Sequence, residues 1–122
     1  MVERRAALNN LAVGDIFHAE CPNGSSLICL AAAVTKTIIQ ARTVTTQKHL
    51  EFDRRTGIAE LGDELVLCTV DSVAPLPADI HNAVLGIDRK FRLEQEPERL
   101  KLSASEKRAL LYIDPHYASN RV

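Results

Sequence analysis

The sequence predicts one α+β domain: a small antiparallel β-barrel of about five strands over residues 11–73, followed by two α-helices within residues 77–117. Three observations predict it. Val34–Glu60 is dense in Thr, Val and Ile, residues that fit a pleated, half-buried surface, and reads as a pair of β-hairpins. These runs are short and separated by turn residues with no crossover helix between them, so neighbouring strands must pair antiparallel. After Pro75 and Pro77 the apolar period changes from alternation to the spacing of one helix face.

The first strand follows the Gly14-Asp15 break and runs through Ile16, Phe17, His18, Ala19 and Glu20 into a Cys21-Pro22-Asn23-Gly24 turn. Pro22 presets φ and Asn23-Gly24 tolerates positive φ, which suits a tight reversal. Ser25–Val34 then sets Leu27, Cys29, Ala31 and Ala33 against Ile28, Leu30, Ala32 and Val34, apolar on both faces, so this strand is central or covered. A strand unbroken from Leu27 to Thr46 exceeds the usual length of about 3 to 10 residues, so Thr35-Lys36-Thr37 marks a turn or bulge. His49–Asp53 alternates cleanly, with Leu50 and Phe52 inward and Glu51 and Asp53 outward. Arg54-Arg55-Thr56-Gly57 returns the chain at Ile58, with Gly57 in the left-handed region. Leu61-Gly62-Asp63-Glu64 forms another turn before the last strand in Leu65–Val73.

Pro77 suits a first helical turn, Asp79 complements the dipole, and Ile80, Val84, Ile87 and Phe91 recur on one face. Gly86 in mid-helix costs about 1 kcal/mol relative to alanine, so a close contact is expected there. A second helix opens at Ser103, where S-x-x-E with Glu106 is a capping box, and Asp114-Pro115 is expected to stop it. The tail from His116 frays unless Tyr117 docks. In strand count and hairpin spacing over Leu11–Val73 the barrel resembles the SH3-like class. That likeness implies a fold and no function.

With 122 residues, 46% hydrophobic and 25% charged, the chain is long and apolar enough for one continuous core without a staple. Fifteen Lys and Arg against sixteen Asp and Glu argue against an unspecific polyanion binder, so nucleic-acid contact needs a local patch. The start lacks the apolar stretch of a secretory signal, and Leu27–Val34 is far shorter than the roughly 20 residues that cross a bilayer, so no membrane is expected. Three cysteines, an odd number, suggest a reducing compartment, and the cytoplasm is the expected location.

The chemistry is sparse. His18 and Cys21 with Cys29 or Cys68 lack the second close pair that structural zinc recruits, so no metal or other cofactor is assigned. Cys21 with His18, His49, His81 or His116 as base matches no cysteine-enzyme signature. The carboxylates Asp63, Glu64, Glu94, Glu96 and Glu98 lie in turns and links where solvated charge is the default, and the glycines are single, with no phosphate loop. No catalysis and no small-molecule substrate are expected.

What remains is a run of cations, Lys36, Arg42, Lys48, Arg54 and Arg55, interleaved with Glu51 and Asp53. The expected function is a non-catalytic interaction module that binds a protein partner or self-associates, cheaply through the apolar stripe of the first helix. The alternative is a nucleic-acid-binding barrel that uses those five cations, although with 4% aromatic residues and no Trp the stacking half of such a surface is weak.

Overall fold

The computed structural model describes residues 8–22, 26–61, 66–94 and 100–119. The elements are β1 (Ile16–Glu20), β2 (Ser26–Val34), β3 (Ile38–Thr43), β4 (His49–Asp53), β5 (Ile58–Leu61), β6 (Val66–Ser72), α1 (Ala78–Leu93) and α2 (Ala104–Ser119). Each strand pairs with the next, and β1 pairs with β6, which closes an antiparallel barrel of six strands where about five were expected. The expected turns around Asn23-Gly24 and Gly62-Asp63 lie outside the described residues.

Two apolar cores explain why β2 is apolar on both faces. Phe17, Cys29, Ala31, Ile39, Leu50, Phe52 and Val70 fill the barrel, with Leu8 and Leu11 joining them from the N-terminal side. The rings of Phe17 and Phe52 meet edge to face at 5.4 Å. On the outer side of the wall, Ile16 of β1 and Leu30 of β2 pack with Val44 against Ile80, Val84, Ile87, Ala109, Ile113 and Tyr117 of the helices. The helices therefore cover the β1–β2 flank. The apolar stripe of α1, Ile80, Val84 and Ile87, is buried within the chain, with Phe91 partly buried against the same cluster.

Turn chemistry follows the sequence closely at β4–β5. Gly57 sits at φ 75°, a conformation that costs glycine nothing, and Asp53 Oδ1 accepts the Arg55 and Thr56 N–H groups at 2.7 and 3.1 Å. At β3–β4 the left-handed residue is instead Gln47, φ 56°. Its amide donates to Val44 O at 2.7 Å and to Asp88 Oδ1 at 2.9 Å, which holds a residue that would otherwise avoid this region.

The capping box forms as expected: the Ser103 N–H donates to Glu106 Oε1 at 2.8 Å and the Glu106 N–H to Ser103 Oγ at 3.2 Å. The close contact at Gly86 is Glu106 itself, whose Oε2 lies 2.9 Å from where a Cβ would stand. Lys90 Nζ donates to the other carboxylate oxygen, and this bond, with the Ser103 amide, holds the Glu106 carboxyl below its ordinary range.

The expected stop at Asp114-Pro115 is corrected, because α2 runs through Pro115 to Ser119. A mid-helix proline costs about 3 kcal/mol, partly through the hydrogen bond that residue 111 loses. Leu111 is 80% exposed, so water is at hand for its carbonyl. Two residues beyond the proline, Tyr117 is fully buried and donates to Ile16 O at 3.0 Å. Burial of a large side chain is worth about 1.5 to 3 kcal/mol and the bond about 1 more, which offsets the proline.

Candidate functional site

The five cations separate into structural and exposed groups. Arg42 leaves the outer face of β3 and grips Asp88 of α1 in a fork, Nε to Oδ1 at 3.0 Å and Nη2 to Oδ2 at 2.8 Å. Burial pushes the Asp88 carboxyl up, but the bonds from Arg42 and Gln47 and the Arg42 charge outweigh it, and the net shift is downward. Arg54 is likewise engaged: its guanidinium donates to Leu8 O, Asn9 O, Leu11 O and Thr35 O at 2.6 to 3.2 Å, tying the N-terminal segment and the β2–β3 turn to the β4–β5 turn.

Lys36 and Arg55 do come together, lining one cleft of about 370 Å³ with Thr37 and Asp53 at the end of the barrel that carries both turns. Lys48 is exposed in the β3–β4 turn at the opposite end, a strand length or roughly 17 Å away. The basic set is thus divided by geometry, and Asp53 shares the cleft with Lys36 and Arg55.

A different surface emerges on the flank opposite the helices. Strand alternation turns Ile38, His49, Glu51, Asp53, Ile58 and Leu67 outward from β3 to β6. Ile58 is 38% exposed and Leu67 is 44% exposed. Ile58 faces Thr69 and Glu60 faces Leu67 in the β5–β6 ladder, so Ile58 and Leu67 are diagonal neighbours on one face. A groove of about 680 Å³, lined by Thr37, Ile38, His49, Glu51, Asp53 and Ile58 among others, runs beside them. Here the wall is also least continuous: β3 and β4 pair along His49–Asp53, whereas β4 and β5 pair at Phe52 with Ala59.

The cysteines depart from expectation. Cys21 and Cys68 form a disulfide, with Cα atoms 4.3 Å apart, one position beyond the Glu20–Thr69 pair on the seam that closes the barrel. Cys68 is therefore no free hydrophobe and Cys21 is no nucleophile. Cys29 is the buried free thiol among the described residues, its pKa pushed up to about 12 by burial. It faces the barrel interior while His18 faces outward, so the considered zinc set of His18 with cysteines is not assembled.

His18 instead meets two carboxylates that sequence spacing did not connect to it. Its Nδ1 lies 3.0 Å from Asp71 Oδ2, its ring stacks on Tyr117 at 5.5 Å, and Glu20 stands two residues along the same strand face. Donor atoms of His18, Glu20 and Asp71 all fall within 4.8 Å of one another. A register shift between His18 and Ala19 places β6 so that Asp71 comes abreast of His18. Nothing in the chain's local pattern signals that bulge.

A smaller cleft of about 260 Å³ opens between the barrel and α2, lined by Leu27, Ile28, Val44, Leu110 and Ile113 with hydroxyls of Ser26, Thr43, Thr45 and Thr46. Comparison with protein-family models, with curated proteins and with solved structures finds no match.

Proposed function

We propose that the protein is a non-catalytic interaction module that docks another protein surface, a second copy of the chain first, through the outer wall of β4, β5 and β6. The observation that carries this reading is the exposed Ile58–Leu67 pair at the centre of a wall the helices leave uncovered, flanked by charges of both signs. Glu51 and Asp53 lie on it and Lys36 and Arg55 at its end, beside Asp53. A patch with an apolar centre and both signs at its rim can meet itself about a twofold axis, each cation facing the other copy's acid. The SH3-like likeness stays a matter of strand count and spacing.

The second reading is nucleic-acid binding, and the Lys36–Arg55 cleft is what favours it. Against it, Arg42 and Arg54 are engaged within the chain. Of the five aromatic residues Phe17, Phe52 and Tyr117 are buried, which leaves little to stack on bases. Cytoplasmic placement now has to accommodate the Cys21–Cys68 bridge, which persists in oxidising surroundings and opens to thiols in reducing ones. Among the described residues no helix is long and apolar enough to cross a membrane.

The test is sedimentation velocity over a wide concentration range, with Ile58→Glu/Leu67→Glu as the comparison. The wild type is expected to associate and the double variant to remain a monomer. A wild type that stays monomeric throughout, together with salt-sensitive binding of single-stranded or duplex probes that Lys36→Ala/Arg55→Ala abolishes, reverses the order of the two readings.

A further inference from the structure

We propose that His18, Glu20 and Asp71 form a binding site for a divalent transition-metal ion, zinc foremost, on the outer face where β1 meets β6. The donor set is one imidazole nitrogen with two carboxylates. Imidazole suits zinc and its neighbours in the first row, carboxylates suit harder cations as well, and the mixture selects a borderline ion such as Zn²⁺ over the hard cations Mn²⁺, Mg²⁺ and Ca²⁺. With metal–ligand bonds of about 2.1 Å, adjacent donors of a tetrahedral or octahedral site stand about 3.0 to 3.4 Å apart. His18 Nδ1 and Asp71 Oδ2 are already at 3.0 Å, and the Glu20 donor lies within the 4.8 Å span of the group.

The scaffold holds the site as a metal site needs to be held. All three ligands stand on strands, and the bulge opposite His18 is what brings Asp71 to its side. His18 is buried and its ring is fixed by stacking on Tyr117, itself pinned through its hydroxyl to Ile16 O. Glu20 and Asp71 are only partly buried, which leaves a path for the ion. Three protein ligands leave further coordination positions to water, as in sites that are not purely structural.

The site shares β6 with the proposed docking wall but lies toward β1, with Asp71 four positions along the strand from Leu67, and its test reads ion binding, not association. Zn²⁺, Mn²⁺ and Mg²⁺ are titrated into the oxidised protein by calorimetry, and the His18 ring resonances are followed by NMR. One Zn²⁺ per chain is expected, shifting the His18 ring signals, with Mg²⁺ much weaker. Glu20→Gln, which leaves the His18–Asp71 contact in place, and Asp71→Asn each lower Zn²⁺ affinity ten-fold or more, while the surface variant His49→Asn/His81→Asn retains it. If Asp71→Asn fails to fold, Glu20→Gln decides. No stoichiometric binding, or binding that Glu20→Gln leaves unchanged or that follows His49 and His81, overturns the site and leaves His18–Asp71 a structural pair.

Discussion

Arg42 is the residue whose role the structure redefines most sharply, and replacing it with alanine discriminates between a scaffold and a ligand contact. The Asp88 side chain is 3% exposed and receives two bonds from Arg42 and one from Gln47. Removal of one partner of a fully buried pair costs about 3 to 5 kcal/mol; with the Arg42 head partly exposed and Gln47 still in place, about 2 to 3 kcal/mol is expected. At a urea slope near 2 kcal/mol/M, the unfolding midpoint falls by about 1 to 1.5 M. Asp88→Ala leaves Arg42 able to turn toward water, so it costs about 1 to 2 kcal/mol, and the double variant costs little more than Asp88→Ala alone.

The pH dependence has a defined sign. A carboxyl whose folded pKa is depressed stabilises the fold above its unfolded pKa and loses that contribution as pH falls through the folded value, so acid erodes the wild type over a range that Arg42→Ala narrows. Arg42→Lys keeps the charge but not the fork and recovers less than half the loss. A cost below about 0.5 kcal/mol for Arg42→Ala, with additive singles, is surface behaviour and refutes the assignment.

Three further outcomes follow from the same geometry. The Cys21–Cys68 bridge closes a sequence separation of 47 across the barrel seam, so reduction or Cys21→Ser/Cys68→Ser should lower stability by about 2 to 4 kcal/mol in denaturant titrations. Gly86→Ala gains about 1 kcal/mol of helix propensity but pushes on Glu106, so it should be neutral or destabilising in the wild type and stabilising in a Glu106→Ala background; stabilisation in both contradicts the contact. Cys29, buried with its pKa at about 12, should resist alkylation at mildly alkaline pH until the chain unfolds, which mass spectrometry of native and denatured samples decides.

Much of the fold was legible because its signals are local. The alternation of His49–Asp53, the left-handed Gly57, the Ser103–Glu106 box and the crowding at Gly86 each depend on residues within a turn or one packing contact, and each stands as read. The candidate site was hardly legible, because its determinants are long-range. Arg42 reaches a partner 46 positions away and Arg54 reaches back as far, which no charge count reveals. His18 meets Asp71 across 53 positions by way of a bulge, and Cys21 meets Cys68 only once the first and last strands close. The apparent stop at Asp114-Pro115 failed for a related reason: local helix-breaking was outweighed by the docking of Tyr117 on β1.

The most direct measurement of the proposed function is a concentration series of amide chemical shifts on the isotopically labelled chain. Docking through the bare wall predicts shifts that grow with concentration along β4, β5 and β6, around Ile58, Leu67 and Glu51, with α1 and α2 unmoved and the effect absent in Ile58→Glu/Leu67→Glu. Shifts confined to the helices, or appearing at Lys36 and Arg55 only when an oligonucleotide is added, contradict it.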